Sequence, residues 1–70
     1  MLIIALALTG CVHLSLPNID GSCPYSYPVK GNADSKLYHI PNSEYYLLTS
    51  AELCFDSPEA ARKNGFYPPK

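Results

Sequence analysis

Cys11, Cys23, Cys54 and His39 are the side chains of this 70-residue chain best suited to covalent or metal chemistry. A thiolate can ligate a metal, join a second cysteine or act as a nucleophile. Cys23, His39 and Cys54 would offer three zinc ligands. A structural zinc site takes four, usually with closely spaced cysteine pairs, and this sequence has no such pair and no evident fourth ligand. If Cys11 is committed elsewhere, Cys23 and Cys54 remain as an even pair. A bond between them would close a loop of about 30 residues and stabilise the fold by roughly 3–4 kcal/mol in the chain-entropy view. The disulfide is the favoured reading, with free thiols and a metal site as its alternatives. His39 would need a nucleophile or proton donor within reach to act as a general base. No serine–histidine–carboxylate set can be assembled around it from single residues. Its expected role is a partly buried ring held by backbone, and His13 is expected to be a solvated linker residue. Gly31 alone does not make a phosphate-cradling loop.

Few elements are available to position these side chains. A chain of this size buries only about 60% of its unfolded surface, so its core is thin and a staple is expected. The net charge is −1, with charges scattered singly. That pattern argues against a nucleic-acid face, which needs clustered Lys and Arg. Lys36 to Ile40 alternates as a strand, with Leu37 and His39 on one face and Tyr38 and Ile40 on the other, and Pro41 ends it. Gly31-Asn32, Asp34-Ser35 and Asn42-Ser43 read as turns. Tyr45 to Thr49 reads as a second strand and Ala51 to Phe55 as a short third. A helix is expected over Ser57 to Gly65. Asp56 or Ser57 caps it, Pro58 opens it, Glu59 and then Arg62 and Lys63 complement its dipole, and Gly65 closes it. Two turns are unstable alone, so the helix must dock on the sheet, through Ala61 and Phe66.

Met1 to Leu8 is wholly apolar, too short to span a bilayer and of a length that fits a signal-peptide core. Leu8-Thr9-Gly10-Cys11 resembles a bacterial lipobox. That resemblance implies removal of residues 1–10, lipid on Cys11, and attachment to the cell envelope; Val12 after the cysteine implies the outer membrane, facing the periplasm, in a Gram-negative host. An upstream start would supply the basic residue such a leader normally carries. Residues 11–28 then read as lipidated N-terminus and tether, with an edge strand over Val12 to Leu16 as the alternative. An exported chain matures where thiols oxidise, which suits a Cys23–Cys54 bond.

The stretch Val29 to Thr49 resembles the sunset domain of bacterial exported proteins. The matching residues are Lys30, Gly31 and Asn32, Ser35 and Lys36, Tyr38 and His39 with Pro41, and the Tyr45-Tyr46 pair with Thr49. Cys54-Phe55, Ser57, Glu59-Ala60 and Gly65-Phe66 extend the similarity over residues 29–70. That family resembles the Ada-type metal-binding module of DNA-repair proteins, in which a cysteine follows the His-x-Pro and a cysteine pair closes the module. Here Ser43 takes the first place and Pro68-Pro69-Lys70 ends the chain. The resemblance therefore implies a fold and an exported setting, with metal chemistry lost.

The expected fold is a small α+β domain with two or three short antiparallel strands and one C-terminal helix. The expected function is that of a non-enzymatic envelope lipoprotein binding another envelope protein or a cell-wall polymer. No metal, cofactor, small-molecule substrate or nucleic-acid partner is expected. The alternatives are a nucleic-acid-binding module, a small structural subunit of a secretion or surface assembly, and a phage superinfection-exclusion lipoprotein.

Overall fold

The computed structural model describes residues 13–70. Cys11, the leader 1–10 and Val12 lie outside the described residues. Four short strands form one antiparallel sheet: β1 (Leu14–Ser15), β2 (Val29–Asn32), β3 (Leu37–His39) and β4 (Leu53–Phe55), in the order β1-β4-β2-β3. One helix follows, α1 (Pro58–Lys63). The domain is thus mostly β, a four-stranded sheet with a six-residue helix, and not the expected α+β domain with two or three strands.

Three departures account for the difference, each caused by contacts distant in sequence. Gly31-Asn32, read as a turn, belongs to the central strand β2, which pairs with both β3 and β4. Leu14–Ser15 makes an edge strand paired with β4, within the Val12 to Leu16 stretch for which an edge strand is the alternative to a tether. Tyr45 to Thr49, read as a strand, winds in turns: Tyr46, Leu48 and Thr49 each donate backbone N–H to the carbonyl three residues earlier.

The sheet has two covered faces, because side chains alternate along each strand. On one face Val29, Tyr38 and Phe55 pack with Ala60, Ala61 and Phe66 from and beyond α1. The Phe55 and Phe66 rings sit 5.3 Å apart at 58°, a tilted pairing that suits their quadrupoles. The helix holds this layer through local grammar. Ser57 accepts from Ala60 N–H, Pro58 opens the first turn, and Gly65 takes a positive φ of 88°. Phe66 N–H then donates to the Ala61 carbonyl, turning the ring inward.

Gly31 is required by this packing. A Cβ there would stand 2.9 Å from Phe55 Cε2 and 3.0 Å from Phe66 Cε2. Gly31→Ala is expected to cost about 1–3 kcal/mol through overpacking, read as a lower urea midpoint with an unchanged slope.

Candidate functional site: the stapled face of the sheet

The opposite face carries Lys30, His39 and Cys54, which are cross-strand neighbours: Lys30 pairs with His39 on one side and with Cys54 on the other. Two connecting segments cross over this face. Residues 16–28 run from β1 to β2, and residues 40–52 run from β3 to β4.

A disulfide pins the first crossing. Cys23 and Cys54 are joined, with Cα atoms 5.7 Å apart, and Cys54 is fully buried. This bond removes both sulfurs from metal ligation, so the zinc alternative loses two of its three ligands. Among the described residues no group of three or more His, Cys, Asp or Glu comes together to hold a metal.

Lys30 pins the second crossing. Its side chain is buried, and Nζ donates to the carbonyls of Tyr46 at 2.7 Å and Thr49 at 2.9 Å. The ammonium also stands 4.3 Å from the centre of the Tyr46 ring. The Tyr46 hydroxyl in turn donates to the Pro28 carbonyl, tying the second crossing to the end of the first. Burial raises the Tyr46 phenol above its ordinary pKa. One cation thus gives the Thr49 carbonyl a partner and the Tyr46 carbonyl a second one beside Thr49 N–H, as basic residues do at the C-terminal end of a helical turn.

His39 is 7% exposed, and its Nδ1 is buried without a hydrogen-bond partner. The expected bond from ring to backbone is not made by that nitrogen. Burial, and then the charge on Lys30, lower its pKa. The ring therefore stays neutral in the fold while the unfolded chain takes a proton near pH 6.5. Because the unfolded chain binds the proton first, stability held above about pH 6.5 is lost as pH falls toward the native pKa. The exposed carboxylates act lower. Ser22 and His13 hydrogen bonds depress Asp20 and Asp56 respectively, so their contribution is lost only below about pH 4. His39→Leu is expected to abolish the upper decline and keep the lower one, measured as urea midpoints across pH.

The remaining motif residues divide between the faces. Tyr38 lies under α1, where its hydroxyl accepts from Arg62 at 2.8 Å. Asn32 shapes the β2–β3 turn, its side-chain oxygen accepting from Asp34 and Ser35 N–H. Pro41 follows β3, and Asn42 beside it has φ 74°. Tyr45 is 53% exposed, and its carbonyl accepts from the Thr49 hydroxyl. Lys30 joins His39 across the sheet and Tyr46 above it; Tyr45 shares a crevice with His39 and Pro41 shares two with Tyr46, whereas Gly31 and Tyr38 lie on the other face and Asn32 in the β2–β3 turn. Sequence reading missed the burial of Lys30 and the roles of Thr49 and Glu52. Glu52 accepts from Ala33 N–H at 2.7 Å. The one available signal was a lysine between Val29 and Gly31, where a strand would otherwise be apolar.

A family model described as ArfC matches residues 11–68. That match replaces the sunset resemblance, whose motif residues are here accounted for by packing and turn geometry. The "Uncharacterized membrane protein ArfC" of Mycobacterium tuberculosis is 39% identical over 49 residues, covering 70% of this chain and 28% of that protein. The protein of the same name from Mycobacterium bovis matches to the same extent. The large ribosomal subunit protein uL4 of Cutibacterium acnes is 44% identical over 43 residues, covering 61% of this chain and 14% of that protein. The chain thus spans less than a third of the length of these relatives. No solved structure matches.

Proposed function

The chain belongs to the ArfC family, and from that premise we propose that it is a non-enzymatic module held at the cell envelope by lipid on Cys11, where its stapled sheet binds another envelope component. The observation that carries this reading is the Cys23–Cys54 bond. Disulfides persist in exported proteins and are rare in the reducing cytosol. With two cysteines joined to each other, the third follows Leu8-Thr9-Gly10, a sequence suited to acylation. The mycobacterial relatives are named membrane proteins. No helix among the described residues is long and apolar enough to cross a membrane, and acylation is a route to attachment that needs none. Matched segments that form only 28% and 14% of two differently named relatives suit a portable interaction module. The Lys30–His39–Tyr46 cluster supports the non-enzymatic part: its hydrogen bonds close loops, and Ser43, which lines a crevice with His39, donates its hydroxyl to the Ile40 carbonyl.

Intact mass spectrometry of the chain extracted from membranes tests the proposal. The expected mass begins at Cys11, carries added acyl groups and lacks two hydrogens for the Cys23–Cys54 bond. An unmodified Met1–Lys70 polypeptide in the soluble fraction would refute it. Crosslinking in intact cells tests the partner, and recovery of the chain alone would count against an envelope ligand.

A further inference from the structure

We propose that the end of the sheet from which β1 begins rests directly on the bilayer, with Tyr25, Ile40 and Leu47 in the headgroup region. The proposal deepens the preceding reading and rests on lipid at Cys11. The strand register gathers His13, Pro28, Ile40 and Asp56 at one end of the sheet, because Phe55 faces both Leu14 and Val29 while Lys30 faces His39. Asp56 N–H donates to the His13 carbonyl, and the two side chains meet at 2.7 Å, so His13 is fixed to that end. His13 lines a separate crevice with Glu59 and Lys63, whereas two adjoining crevices share Pro41 and Tyr46; Tyr25 lines one together with Pro28 at this end, and Leu47 lines the other. No charged residue lines either crevice. Tyr25 and Leu47 on their rims are 97% and 89% exposed, and Ile40, next to Pro41 in the chain, is 44% exposed.

The length of the lead-in selects the bilayer as the occupant. Cys11 precedes His13 by two residues, which span at most about 7 Å even fully extended. A lipid-bearing Cys11 therefore holds this end within side-chain reach of the headgroups. A surface held that close outcompetes a free partner, because its effective concentration is fixed by the link. Tyrosine suits such a boundary, with its ring toward the acyl chains and its hydroxyl toward water. The opposite end, where Leu16 and Ile19 follow β1 and Tyr67 pairs beside Leu37, is left facing away from the membrane and open to a protein partner.

The chain has no tryptophan, so single probes report position cleanly. The full-length acylated chain carrying Tyr25→Trp, Leu47→Trp or Tyr67→Trp is reconstituted into phosphatidylcholine vesicles containing nitroxide-labelled lipid, and acyl mass is verified on each sample. Tryptophan at 25 and at 47 is expected to shift to the blue and lose most of its emission to the nitroxide. Tryptophan at 67 is expected to respond to aqueous iodide instead. All three replaced positions are exposed, so the core is left intact, and the circular-dichroism melt of each sample, with its two-hydrogen mass loss, confirms a folded chain with the Cys23–Cys54 bond closed. If the probes at 25 and 47 respond as the probe at 67 does while the acyl mass is present, the docking is wrong and the anchor stands. Shielding from iodide without nitroxide quenching would mean that a second copy covers the patch, and would also overturn bilayer docking. A sample with no acyl mass removes the anchor and the docking together.

Discussion

Replacing Cys23 and Cys54 together by alanine is expected to lower stability by about 3–4 kcal/mol, the loop-closure value for a bond between residues 31 apart. For a domain of this size that approaches the whole margin of folding, at about 0.05–0.15 kcal/mol per residue. The position of the bond makes its loss general. Cys54 lies in β4, which pairs with β1 on one side and β2 on the other. Cys23 lies in the crossing that covers that strand. Without the bond, the crossing is held chiefly by the Ala51 N–H to Gly21 carbonyl contact and the Tyr46 hydroxyl on Pro28. The opposite core cannot compensate, since its largest members are Phe55, Phe66 and Tyr38. Thermal melts by circular dichroism with and without dithiothreitol read the effect. The oxidised chain should melt in one transition, and the reduced chain should be largely unfolded at the same temperature. Superimposable melts would show that the fold does not depend on the staple.

What the sequence made legible was short-range. Ser57, Pro58, Glu59, Arg62, Lys63 and Gly65 specify α1 because each acts on backbone within one turn. The alternation Leu37-Tyr38-His39 marks β3 because adjacent positions face opposite layers. Gly31 was illegible as a strand residue because its reason lies in the rings of Phe55 and Phe66, 24 and 35 positions away in the chain. Tyr45 to Thr49 has the composition of a strand, yet its carbonyls at 46 and 49 are taken by Lys30. Lys30, 16 and 19 positions away in sequence, holds that stretch in turns instead. Of the candidate site, the Cys23–Cys54 pair could be reached by counting, whereas the Lys30–His39–Tyr46 cluster could not, because it depends on β2 lying at the centre of the sheet.

Lys30→Met is expected to destabilise the domain by about 3 kcal/mol, nearly as much as loss of the staple. Methionine keeps most of the buried stem but no donor, so the Thr49 carbonyl loses its partner and the Tyr46 carbonyl keeps only the bond from Thr49 N–H. An orphaned buried acceptor costs about 1–3 kcal/mol. The ammonium over the Tyr46 ring at 4.3 Å adds about 0.5–2 kcal/mol to what is removed. Contributions of this kind overlap, so their sum is an upper bound. Two readouts separate this local mechanism from a general loss of packing. Backbone amides of Tyr46, Leu48 and Thr49, which close the second crossing, should exchange faster than those of β2 and β4. His39, whose pKa Lys30 helps to depress, should titrate at higher pH in Lys30→Met, because a like charge has been removed. The acid decline in stability that begins near pH 6.5 should shrink with it, since native and unfolded pKa values draw together. Unchanged exchange at residues 46–49 and an unchanged His39 titration would show that the lysine acts only as apolar filling, with its charge irrelevant to the loop it touches.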